Sequence, residues 1–354
     1  MSTNVHRRFK TRADALEVIR RSPKDVTVAD VQMLLQAALE VERFTIPPYL
    51  TALYSINEGT NIESTALIRS VVVEEMLHIS LDCNVLNAIG GAPDLRVWPS
   101  DADYPNPLPY SAGTFTVNIS RFDPPTLATF CEIEHPGTGA EGIGYHELSE
   151  FYRFIMAALV ELDQKTPGGV FVGDPSRQVW PSHYYSAGGM LLPVTDLASA
   201  LAALQLVIDE GEGADGGTSA DDERFNQAYE PAHYYRFLGI QAGQFYVRGD
   251  RPGAPTGKTF SVDWAEVAQT IPNLTLAELA GFPAIQQKAM AFNDAWAALL
   301  SALDAAFNGQ PDTLQASVAK MFTLKYQAEA LMRLRLGDNG LFAGPVWNLS
   351  ETKR

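Results

Sequence analysis

Two Glu-x-x-His pairs stand out along the chain: Glu75-Met-Leu-His78 and Glu230-Pro-Ala-His233. On a helix this spacing puts a carboxylate and an imidazole on one face, about 5–6 Å apart at Cβ. Carboxylate oxygens bridge hard cations, and a neutral imidazole completes the coordination of each one. A dinuclear site in a helical bundle needs two further acids, one from each of the other two helices. Glu42 and Glu150 supply them, and the order along the chain is Glu, Glu-x-x-His, Glu, Glu-x-x-His. The expected ligands of two metal ions are therefore Glu42, Glu75, His78, Glu150, Glu230 and His233. Imidazole and carboxylate suit iron and manganese alike, so the ligands leave that choice open. Which side chain would act as a catalytic acid or base is not readable from these residues.

Helix periodicity selects among neighbouring acids. Leu35, Leu39, Glu42, Ile46, Tyr49, Leu53 and Ile56 follow spacings of four and three, which puts Glu42, and not Glu40, on the inner face. The seam Ile68, Val71, Glu75, His78, Asp82, Val85, Ile89 holds Glu75 rather than Glu74. In the third helix Glu147, Glu150 and Glu161 fall near one face, and Glu150 is preferred because it lies opposite the middle of the other helices. A lone Glu-x-x-His is common on solvated helix faces. Two of them, each with an inward acid on a preceding helix, are hard to place at a surface, because burying an unpaired carboxylate costs several kcal/mol.

The elements that must carry these residues are helical. The first runs over about 28–56 and contains Pro47 and Pro48, which should kink it. A second covers about 63–89 and stops at Gly90-Gly91. A Pro/Gly-rich stretch follows, with one strand-like run, TFTVNI (114–119). A third helix covers about 146–165, a short one 195–210, and a fourth long one 222–246. Pro231 lacks an N–H, so the fourth helix either starts there or is distorted. Two apolar helices end the chain, at about 284–308 and 311–336. This order is that of a four-helix bundle with a long crossover. The bundle is expected over 28–247, with insertions at about 91–143 and 166–193, and 248–354 as a helical C-terminal extension packed on it.

Composition narrows the function. The formal net charge of −16 leaves no basic stripe for nucleic acid and disfavours anionic membranes. No apolar run reaches about 18 residues, so no membrane span is expected. The start, MSTNVHRRFK, has no apolar run after its basic residues, and a cytoplasmic protein is the default. Cys83 and Cys131 are too few for a disulfide framework and read as buried thiols. Asp82, one turn after His78, is placed to hold that ring's second N–H. Tyr49, Tyr152 and Tyr234 bond ligating carboxylates, line a substrate cavity or pack. His183 would cover a pocket from its loop (Trp180 to Tyr185) or sit at the surface, and His135 and His146 read as structural.

Several segments also resemble a known family: LLQAALEVERFTIPPYLTALYSI, VVVEEMLHISLDCNVLNAIGGAPDL, HELSEFYRFI, VTDLASALAALQLVIDEGEG, EPAHYYRF, the run AFNDAWAALLSALDAAFNGQPDTLQASVAKMFTLKYQAEALM and the ending AGPVWNL. Together they are similar to the ferritin-like family of the iminophenyl-pyruvate dimer synthase type, over about residues 30–350. Its namesakes are much larger enzymes of violacein and rebeccamycin biosynthesis. The resemblance implies an all-α fold, a ferritin-like four-helix bundle with long crossover insertions and a helical C-terminal extension. The spacing of Glu42 and Tyr49 is similar to that of ferritin's first metal helix. The function expected is a non-haem dinuclear metal oxidoreductase, di-iron first, acting with O2 or peroxide on a small, aromatic molecule. A ferritin- or manganese-catalase-like protein acting on iron or peroxide, and a non-catalytic metal-binding module, are the alternatives. The substrate and the oligomeric state are not legible.

Overall fold

A computed structural model describes residues 12–96, 104–110, 115–136, 148–184, 188–213, 217–220, 229–338 and 340–347. Among them the regular elements are helices, joined by isolated β-bridges and short 3-10 turns. They are α1 (Arg12–Ile19), α2 (Val28–Ser55), α3 (Ile62–Ala88), α4 (Pro124–Ile133), α5 (Leu148–Lys165), α6 (Leu197–Glu212), α7 (His233–Ala242), α8 (Pro283–Phe307) and α9 (Leu314–Leu331). None of them is long and apolar enough to cross a membrane.

Local chemistry sets the helix ends. Thr27 and Asp30 form a reciprocal capping box that starts α2, and Asp196 with Ser199 does the same for α6. α3 stops where Gly90 takes a φ of 76° and the Gly91 N–H returns to Leu86 O at 2.9 Å. α2 runs through Pro47 and Pro48. Pro48 cannot donate to the carbonyl of Phe44, four residues back. That oxygen instead accepts from Tyr104 Oη at 2.6 Å, and the Tyr104 ring stacks on Phe44 with centroids 4.4 Å apart. A side chain thus replaces the missing backbone donor.

α2 packs on α3, α3 on α6, α6 on α5 and α5 on α2, which closes a four-helix ring. Its interior is apolar at both ends, with Leu35, Leu39, Ile68, Val71, Ile155, Ala158, Ala203 and Leu204 fully or nearly fully buried. Each buried Leu or Ile contributes about 1.5–3 kcal/mol. α7 packs on α3, α4 and α6, while α8 and α9 pair with each other and touch α3 and α2. Trp347 Nε1 donates to Thr51 Oγ1 at 2.8 Å and ties the far end of the chain to α2.

Three expectations are corrected. The fourth bundle helix is α6, not a helix over 222–246. Residues 229–232 are extended, because Pro231 bars a helical turn there, and α7 opens only at His233; residues 222–228 lie outside the described set. The stretch 91–143 contains α4, started by Asp123 capping the Thr126 N–H ahead of Pro124-Pro125. Residues 115–119 form no strand; among the described residues Val117 makes one antiparallel bridge, to Asn106.

Candidate metal centre

Six carboxyl groups and two imidazoles are buried together within and beside the ring: Glu42, Glu74, Glu75, Asp82, Glu134, Glu210, His78 and His233, each at most 7% exposed. Glu42, Glu75 and His78 form one group whose donor atoms lie within 4.8 Å of one another, and Glu75, Glu134 and His233 form a second. Glu75 belongs to both. The two imidazoles face each other with centroids 5.3 Å apart and planes 23° from parallel.

Each ring is held by its outer nitrogen and presents the inner one. His78 Nε2 meets Glu210 Oε2 at 2.8 Å, and its Nδ1 lies 3.4 Å from Glu42 Oε2. His233 Nε2 meets Glu74 Oε2 at 3.0 Å, and its Nδ1 lies 3.0 Å from Glu75 Oε1 and 3.5 Å from Glu134 Oε2. A carboxylate behind each ring fixes tautomer and orientation, as metal-binding histidines require. The outer acids follow one pattern. Tyr152 Oη donates to Glu42 Oε1 at 2.6 Å, and Tyr49 Oη donates to Glu134 Oε1 at 2.5 Å. In each acid the second oxygen is left toward the histidine. Thr45 Oγ1 sits 3.0 Å from Glu75 Oε2 and sets the shared carboxylate.

Charge is the unsolved problem of this cluster. Burial, together with the charges of Glu134 and Glu42, pushes Glu75 well above the ordinary carboxylate range. Burial and the Glu42 charge do the same to Asp82. Glu210 rises to about 7 through burial, partly offset by His78. Burial also opposes ionisation of Glu42, but His78 beside it brings it below its ordinary value. Glu74 is likewise opposed by burial and is lowered to about 2 by Arg236 and His233. Burial would depress both imidazoles, yet the acids around them hold His78 and His233 well above their usual value. The cluster thus retains protons to offset negative charge. A pair of divalent cations would take their place and release them.

The donor set fits such a pair. His233 Nδ1, fully buried and aimed at Glu75 and Glu134, makes no hydrogen bond. Two neutral nitrogens with a shared and two outer carboxylates suit iron, manganese or similar ions. Five protein donor groups for two ions leave coordination positions for other molecules.

Four of the expected residues meet here: Glu42, Glu75, His78 and His233. Glu230 does not. It is half-exposed and pairs with Arg236 Nη2 at 3.0 Å. Glu150 is in neither group and is half-buried on the first turn of α5. Tyr152, two residues on and about 200° around the helix, occupies the inner face instead. Glu134, at the C-terminal cap of α4, stands where a third-helix acid was expected. Asp82 Oδ2 lies 2.8 Å from Tyr152 Oη, whose one proton goes to the nearer Glu42, and the role foreseen for Asp82 behind His78 falls to Glu210. Of the remaining candidates, Tyr49 and Tyr152 bond the acids, Tyr234 packs edge-on against His135, and His183 Nε2 lies 3.5 Å from Asp312. Glu147, His146 and Tyr185 lie outside the described residues.

Comparison with known proteins agrees with this architecture. Residues 35–242 match the family described as Ferritin-like. A curated relative, dichlorochromopyrrolate synthase of Lentzea aerocolonigenes, is 25% identical over 320 residues, 79% of this chain. The match covers 29% of that protein's length. A crystal structure of a ferritin like protein from Caulobacter vibrioides superposes with a TM-score of 0.60 at 21% identity, over 90% of this chain and 99% of the other.

Proposed function

The chain belongs to the Ferritin-like family, and from that premise we propose that it is a non-haem di-iron oxidoreductase acting with O2 or peroxide on a small, aromatic molecule. The observation that carries this reading is the pair of buried His/carboxylate groups sharing Glu75. A relative named for the synthesis of dichlorochromopyrrolate, a pyrrole compound, favours a small aromatic molecule over stored iron as substrate.

Glu42, Glu75, His78, Glu134 and His233 would hold the two ions. When bound, an iron pair supplies electrons for the reduction of O2 or peroxide and Lewis acidity at the same place. The protein's own part is positioning. Tyr49 and Tyr152 stay protonated, because burial beside acids raises both phenols far above their usual value. They therefore donate steadily to Glu134 and Glu42 and keep one oxygen of each acid free. Glu210 and Glu74 keep both Nδ1 atoms turned inward. The near-complete burial of these groups excludes bulk water, which strengthens each electrostatic contact.

Metal analysis of protein reconstituted with Fe(II) without air should give about two ions per chain. Admitting air should then consume O2 faster in wild type than in Glu75→Ala. Equal, slow O2 uptake by the two proteins contradicts the enzyme reading.

A further inference from the structure

The second donor group rests on a turn entered from an extended segment, which the Ser219–Pro231 bridge ties to residues 218–220. Pro231 has no N–H and a fixed φ, so α7 opens at His233, whose own turn has no helical backbone before it. Arg236 lies one turn later, is 2% exposed, and directs its whole guanidinium at this turn and at α3. Its Nε donates to Pro231 O at 2.6 Å. Its Nη1 donates to Ser70 Oγ at 2.9 Å and to Glu74 Oε1 at 2.7 Å, and its Nη2 lies 3.0 Å from Glu230 Oε2. Glu74 passes this anchoring on, since its other oxygen meets His233 Nε2.

The first group is built differently. His78 sits inside α3, whose backbone holds it on both sides, and its partner Glu210 belongs to α6. Among the described residues no arginine is hydrogen-bonded to the His78–Glu210 pair, and Arg236 reaches Glu210 only as a charge through space. We propose that Arg236 is the positioning residue of the second metal position, the one formed by Glu75, Glu134 and His233, and that the first position does not depend on it. The inference rests on the metal-centre reading above. Lysine is no substitute, because an ammonium on a flexible stem cannot meet the Pro231 carbonyl and both acids at once in a fixed plane.

Metal stoichiometry tests it. Arg236→Gln should bind about one ion per chain where wild type binds about two, matching His233→Ala, with the helical circular dichroism unchanged. Arg236→Lys should behave like Arg236→Gln, and Glu230→Gln, which removes the half-exposed charge beside Arg236 and Glu74 but keeps a polar group there, should keep both ions. Two ions retained in folded Arg236→Gln, or both lost together, overturns the proposal. Should Arg236→Gln fail to fold, Glu74→Gln takes its place: it breaks the same chain at constant volume, and retention of two ions overturns the proposal equally.

Histidine-labelled metal-free protein gives a second readout by 15N NMR. The hydrogen-bonded Nε2 proton of His233 should vanish in Arg236→Gln while that of His78 persists. A wild type that binds no metal but shows this selective loss would sink the metal reading and leave the positioning role standing. Persistence of both protons would sink the positioning role.

Discussion

Glu74 and Glu75 are adjacent and both buried, yet about 100° of helix rotation gives them different tasks. Glu75 faces both donor groups, whereas Glu74 stands behind His233. Glu75→Ala should abolish binding of both ions. Glu74→Ala should weaken binding of the second ion by about 10–100-fold, the usual cost of losing a histidine's supporting carboxylate, so that about one ion per chain remains at a metal concentration that just saturates wild type. Equal losses in the two variants, read by calorimetric titration, would refute this division. Likewise Glu134→Ala should remove the second ion while Glu150→Ala leaves both. Glu210 adds a pH dependence in the metal-free protein. Its folded value, about 7, exceeds the ordinary 4.5, so its protonated form favours the fold. That contribution is complete below the ordinary value and is lost as pH rises through about 7. Calorimetry of metal-free protein should show the melting temperature falling between about pH 5 and pH 8, with a shallower fall in Glu210→Gln. A wild-type melting temperature that climbs over this range would count against it.

At the scale of elements, α2 carries two prolines, and Tyr104 supplies from outside the helix the donor that one of them, Pro48, withholds. Tyr104→Phe removes this donor to the Phe44 carbonyl and should cost about 1 kcal/mol of unfolding free energy. In a Pro48→Ala background the alanine N–H can reach that carbonyl, and the same change should cost much less. Additive effects in urea unfolding of the four proteins would show that the two donors do not share one acceptor. This substitution of side chain for backbone was not legible in the sequence, which showed only the prolines. α2 and α3 were legible, through the run from Leu35 to Ile56 and the Gly90-Gly91 stop. α4 was obscured by the Pro- and Gly-rich text around it, although Asp123-Pro124-Pro125 is a helix-start signal. Glu134 was missed with it, since an acid at a helix cap has no periodic partner to mark it. Glu230 was misplaced for the opposite reason. Its spacing to His233 is helical on paper, but Pro231 withholds the helix that would make the spacing meaningful.

Across the whole molecule, the centre joins elements that are distant in sequence. α2 and α3 bring Glu42, Glu75 and His78, α6 brings Glu210, and α4 and α7 bring Glu134 and His233 from outside the four-helix ring. Packing alone does not balance the acids gathered there. Without cations, several acids must keep protons or pay for unpaired charge, and each poorly compensated buried ion costs several kcal/mol. Binding of cations to the folded state should therefore act as a clasp between the ring and the α4–α7 pair. Ligand present at about 100 times its dissociation constant stabilises the folded state by about 2.7 kcal/mol. Dialysis against a chelator should lower the melting temperature of wild type by several degrees, and Fe(II) or Mn(II) added without air should restore it. Glu75→Ala should melt at one temperature with or without metal, because it lacks the carboxylate common to both groups. The His233→Ala protein should recover only part of the shift, through Glu42, Glu75 and His78. A chelator effect of equal size in wild type and Glu75→Ala would place the stabilising ion elsewhere in the molecule and remove the centre from its energetics.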